Sequence, residues 1–74
     1  MDKKIVSDYR DLIFTCLGAR NIERFRGGLT DIVERLRTVV SDTLPSREEI
    51  LAYEGRELQE LSSKLFKNYF KKYL

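Results

Sequence analysis

The chain has 74 residues, with 14 Lys and Arg against 12 Asp and Glu, a single cysteine and no histidine. At this length it forms one domain, residues 1–74, and folding buries only about 60% of the unfolded surface, so a lone core is marginal. A lone Cys16 excludes an internal disulfide, the lack of histidine removes Ser-His and Cys-His catalytic pairs and most zinc sites, and no apolar run reaches the roughly 18 residues of a bilayer span. Association with another chain is the remaining route to stability, and a cytoplasmic (intracellular) location is the expectation.

The spacing predicts a first helix from Lys3 to Phe25, because Ile5, Tyr9, Leu12, Ile13, Cys16, Ala19, Ile22 and Phe25 recur at three- and four-residue steps. Cys16 falls on this stripe and reads as a small core residue. Gly18 marks a close crossing, a kink or a tolerated glycine. Gly27-Gly28 is read as the end of the helix, since paired glycines supply the left-handed backbone of a C-terminus.

A shorter second helix follows, with Leu29, Ile32, Val33, Leu36, Val39 and Val40 on one side and Asp31, Glu34, Arg35 and Arg37 on the other. Residues Ser41 to Pro45 form a turn. The third helix opens on Ser46 and Glu49, the S-x-x-E pattern of a capping box. Its stripe of Ile50, Leu51, Leu58, Leu61, Leu65, Tyr69 and Tyr73 is read as continuous to the terminus. Glu54 interrupts it, either at the edge of the seam or paired with an arginine. The three helices would run about 22, 13 and 27 residues, and the last would reach about 40 Å, well beyond the second. The expected fold is all-α: a three-helix bundle or hairpin-like array with a long C-terminal helix, completed by oligomerisation.

Residues Lys64 to Leu74 hold four lysines, four aromatics and no acid, whereas the rest of the chain is slightly acidic. Three readings compete for this end. Its aromatics pack against helix one or a partner while the lysines keep the outer face soluble. Alternatively, the aromatic half is a protein interface, with Leu58, Leu61, Leu65, Phe66, Tyr69, Phe70 and Tyr73 as anchors. In the third, Lys64, Lys67, Lys71 and Lys72 join Arg20, Arg24 and Arg26 in contacting nucleic-acid phosphates. A net charge of +2 is low for a dedicated nucleic-acid binder, and Glu23 dilutes the arginine cluster. A membrane-surface role ranks below both.

Catalysis is not expected. The pairs Asp8/Asp11 and Glu57/Glu60 each lie on a polar helix face, where solvated carboxylates are ordinary, so no metal site is expected. Gly27-Gly28 leads into Leu29 and Thr30 without a lysine and is no phosphate loop. No cofactor and no small-molecule substrate is implied. The partner expected is a second copy, in a homodimer, or another protein, with nucleic acid as the alternative.

The run Tyr9-Arg10-Asp11-Leu12-Ile13 followed by Ala19-Arg20-Asn21-Ile22-Glu23 resembles the "L…R..KIE" helix in the helical domain of GINS replication-factor subunits. Leu44-Pro45-Ser46-Arg47-Glu48-Glu49 is similar to the "LT/S-x-E-E" helix start that follows a variable linker in that family. The likeness covers Tyr9 to Tyr69. Asn21 stands where a lysine is common, and the extra helix and small β-domain usual in such subunits are not seen in these residues. The resemblance implies a non-catalytic scaffold that binds sister subunits and helicase components through its helical faces.

Overall fold

The computed structural model describes residues 2–19 and 21–74, with the side chains of residues 16–19 outside the description. The roles assigned to Cys16, Gly18 and Arg20 therefore fall outside the described residues. The chain is all-α: among the described residues it forms four α-helices and no strand. These are α1 (Lys3–Ala19), α2 (Ile22–Leu36), α3 (Arg47–Ala52) and α4 (Gly55–Leu65). Helix α4 continues into a π-helical turn, Phe66–Phe70, and a 3₁₀ turn, Lys71–Tyr73.

The first helix ends earlier than its spacing suggests, and the reason is a cap. Asn21 takes an extended backbone, and its side-chain oxygen accepts from the Arg24 N–H at 3.0 Å. Asparagine is among the best residues for that position, and Glu23 adds a negative charge at the positive end of the helix. Gly27 and Gly28 thus lie inside α2 rather than ending α1. The stripe of Phe25, Leu29, Ile32, Val33 and Leu36 runs through them without a change of period. Burial of that stripe outweighs a helix cost of about 1 kcal/mol per glycine.

Gly28 also has a packing role. A Cβ there would stand 2.3 Å from Leu12 Cδ1, so the missing side chain lets α1 lie close across α2. Next to Gly27, by contrast, nothing lies within 4 Å. Arg35 fastens the same pair of helices, donating to Asp8 at 2.7 Å and to Asp31 at 3.1 Å.

The capping box read from Ser46 and Glu49 is present. Ser46 Oγ accepts from the Glu49 N–H at 3.2 Å, and the Glu49 carboxylate accepts from the Ser46 N–H at 3.4 Å. The helix it opens is short, however, because Tyr53 and Glu54 are both extended. Glu57 accepts from the Glu54 N–H at 3.0 Å and starts α4, while Glu54 itself is exposed. On the α3 side, Arg26 reaches over from α2 and donates to the Tyr53 carbonyl at 2.7 Å. That bond satisfies an acceptor which a continuous helix would have kept for itself.

The long projecting helix is therefore replaced by four segments, α3, α4, the π turn and the 3₁₀ turn, folded onto the rest. The molecule measures 28 × 24 × 17 Å, too short for a straight rod of about 40 Å. Its core combines Ile5 and Tyr9 of α1, the α2 stripe, Ile50 of α3, Leu58, Leu61 and Leu65 of α4, and Phe70. Phe70 stacks flat on Tyr9, with ring centroids 4.1 Å apart and planes 7° from parallel. The Tyr9 hydroxyl donates to the Ser62 carbonyl at 3.0 Å, so one buried side chain holds both the π turn and α4.

Placing Gly27 inside an exposed helical turn has a measurable consequence. Gly27→Ala should raise stability by about 0.5–1 kcal/mol in denaturant titrations, through better helix propensity and a less flexible unfolded chain. Gly28→Val should lower it by about 1–3 kcal/mol, by overfilling the contact with Leu12. A destabilised Gly27→Ala would instead mark a helix terminus at that position.

Candidate functional site

Seven residues of the C-terminal half stood out in sequence as an interface, and the fold divides them. Leu58, Leu61, Leu65 and Phe70 are buried within this one chain, so they stabilise the fold itself and are not open to a second copy. Phe66, Tyr69 and Tyr73 keep exposed surface, but on different faces. Phe66 lines a groove between α1 and α4, whereas Tyr69 lines another on the far side of α4. Tyr73 is partly exposed and lies beneath Lys72, whose Nζ is 5.2 Å from the ring centroid.

The π turn produces this division. An α-helix carrying Leu58, Leu61, Ser62 and Leu65 inward would next turn Tyr69 and Lys72 to the core. Here the Lys71 N–H reaches back five residues to the Phe66 carbonyl, and the wider turn brings Phe70 inward instead. Tyr69 is displaced to the flank, where its hydroxyl donates to Asp42 in the loop before α3. Both changes leave Phe66, Lys67 and Lys71 along one edge.

That edge forms one wall of the larger of the two grooves, about 780 Å³ in volume. Ile13 and Phe14 of α1 supply the opposite wall, with Phe25 of α2 and Leu74 extending the apolar lining. Phe14 is 76% exposed, the most open large apolar side chain described. It lies off the stripe of α1, where periodicity does not find it; an aromatic outside that stripe is the signal that marks it. Arg10 flanks it on α1, opposite Lys67 and Lys71. Among the described residues no aspartate or glutamate side chain lines this groove.

The groove beyond α4, about 520 Å³, has the opposite character. Asp42, Glu57 and Glu60 line it together with Lys64 and Tyr69. Each of those carboxylates already has a partner: Tyr69, the Glu54 N–H and Arg56 respectively. The cations proposed as phosphate contacts are equally dispersed. Lys64 faces this second groove, Lys67 and Lys71 the first, and Lys72 lies over Tyr73. Arg24 is exposed on the first turn of α2, and Arg26 is engaged by Glu23 and the Tyr53 carbonyl. The structure does not gather these residues on a common face.

Two titrating groups show how the frame is held. The Arg35 hydrogen bond keeps the Asp8 carboxyl below its ordinary range. Hydrogen bonding to Asp42 pushes the Tyr69 hydroxyl up to about 12, because the phenol donates a bond that the phenolate cannot. Among the described residues no three of His, Cys, Asp and Glu are grouped as metal ligands, and no helix is long and apolar enough to cross a membrane.

No protein-family model, no curated protein and no solved structure matches the chain. The GINS likeness thus rests on the short segments quoted above, and the start of α2 at Ile22 divides its first run between two helices.

The Tyr69–Asp42 bond fixes the sign of one pH response. Raised in the fold, the Tyr69 pKa contributes stability that is complete below the ordinary value of 10.0 and is lost as pH rises towards about 12. Stability should fall across that window, and Tyr69→Phe should flatten the decline. In an ultraviolet titration, Asp42→Asn should bring the late tyrosinate signal to lower pH. An unchanged titration would mean that the bond does not form in solution.

Proposed function

We propose that the protein is a non-enzymatic association module, acting as a small subunit or regulator of a larger assembly, and that its partner protein binds in the groove between α1 and α4. The observation that carries this reading is the exposure of Phe14 at the mouth of that groove, beside Phe66 and Leu74. Aromatic side chains left open around a concave apolar surface are typical anchors for a protein partner, because covering them removes much apolar area from water. Placing the contact here moves it from the aromatic stripe of the C-terminal helix, most of which the chain buries itself.

Dispersal of the cations favours a protein over nucleic acid. A phosphate backbone needs basic groups in register along one track. Lys64, Lys67, Lys71 and Lys72 are spread over three surfaces, and Arg26 holds an internal carbonyl. The two that do share a surface, Lys67 and Lys71, edge an apolar groove.

A photo-crosslinking amino acid placed at Phe14, in cells that make the protein, tests the site directly. A discrete protein adduct is expected at Phe14, and none from the same group at Leu51, which is exposed but does not line the groove. Adducts of equal yield from both positions, or from neither, would contradict the reading.

A further inference from the structure

We propose that the occupant of this groove is an acidic amphipathic helix belonging to a different chain. This rests on the association reading and adds the chemistry of the partner. The lining is mostly apolar, with Ile13 and Phe14 on one wall, Phe66 on the other and Phe25 between the elements, and such a groove suits the i, i+3, i+4, i+7 anchors of a helix laid in it. The edges are cationic on both sides: Arg10 on the α1 wall, Lys67 and Lys71 on the other. A helix presenting apolar anchors downward and carboxylates on both flanks would meet complementary charge along each edge.

Among the described residues, the three edge cations have no competing use. No ion pair of the described residues engages Arg10, Lys67 or Lys71; the pairs formed involve Lys4, Arg26, Arg35, Arg47 and Arg56. On the far side of α4 the carboxylates are already partnered, so that groove offers little to a cationic ligand. One surface of this small molecule is thus electrostatically open and apolar, and it is positive.

The same charge pattern argues against a second copy as the occupant. A two-fold pairing through the groove brings the same patch of both chains together, setting Arg10, Lys67 and Lys71 against their own equivalents. A head-to-tail pairing through the groove beyond α4 would require its carboxylates to leave their present partners. A nucleic-acid strand would meet only three cations around a surface that is mostly apolar.

The test is a selection of helical peptides, displayed as a randomised library, on three forms of the full chain. These are the wild type, Phe14→Asp, and the triple variant Arg10→Glu, Lys67→Glu, Lys71→Glu, each first checked for unchanged helicity. The wild type should enrich peptides with an apolar stripe flanked by Asp and Glu. Replacing those acids with Gln in a synthesised winner should weaken binding about tenfold, the combined effect of a few exposed ion pairs. Phe14→Asp should abolish the enrichment, and the triple variant should select Lys and Arg in place of Asp and Glu. Enrichment that is indifferent to Phe14, or none at all, would overturn the association reading together with this inference. Peptides that need Phe14 but show no acidic bias would leave that reading standing and overturn the acidic partner. A Phe14-dependent doubling of mass in light scattering, or tighter Phe14-dependent binding of a labelled single-stranded oligonucleotide than of any peptide, would also overturn it.

Discussion

The Tyr9 ring lies flat against Phe70 while its hydroxyl donates to the carbonyl of Ser62, and through that one side chain the first helix grips the last. The stack contributes about 0.5–1.5 kcal/mol beyond simple burial, and the hydrogen bond about 1 kcal/mol. In a chain this small such amounts are a large share of the net stability. They also join segments more than fifty residues apart in sequence, Tyr9 to Ser62 being separated by 53. Elsewhere α1 is fastened to α2 at Gly28 and Arg35, α2 to the α3–α4 break at Arg26, and the α2 stripe packs against α4 in the shared core. The Tyr9 contact closes this series into a single core.

Its cost falls on the helix it grips. The Ser62 carbonyl serves both the Tyr9 hydroxyl and the Phe66 N–H, and that N–H is shared in turn with the Ser63 carbonyl. A side chain that bonds into the hydrogen-bond ladder is a recognised cause of local irregularity in helices. The π turn that follows delivers Phe70 to Tyr9, passes Tyr69 to Asp42, and leaves Phe66, Lys67 and Lys71 facing Phe14 and Arg10. The contact that completes the core also composes the groove. Structure and proposed function share one cause, which is why the groove cannot be described apart from the packing beneath it.

What the sequence disclosed, and what it hid, follows the range of the interactions involved. The Ser46–Glu49 capping box depends on residues three apart, and it reads directly from the chain. The apolar stripes are equally local, so the all-α class and the buried Ile5, Tyr9, Leu29, Ile32, Val33 and Leu36 were legible. The boundary between α1 and α2 was also local, but a cap at Asn21 competed with a glycine pair; the unbroken stripe from Phe25 to Leu36 was the clue favouring Asn21. The break at Tyr53 is different. Its carbonyl is taken by Arg26, 27 residues away, and no window of sequence shows that bond. The π turn is less visible still, since it answers to Tyr9 across 53 residues. For the candidate site, Phe66 and the tail lysines stand out in the sequence, yet their division among faces depends on the π turn. Phe14 was visible only as an aromatic out of place.

The central claim is that the C-terminal segment turns Phe70, and not its neighbours, onto Tyr9. Nuclear Overhauser spectra of the protein at low concentration, with its aromatic rings selectively labelled, measure this directly. Strong cross-peaks are predicted between the rings of Tyr9 and Phe70, and none between Tyr9 and Tyr69. Cross-peaks from Tyr9 to Tyr69, the residue an unbroken α-helix would turn inward, with Phe70 in solvent, would contradict it.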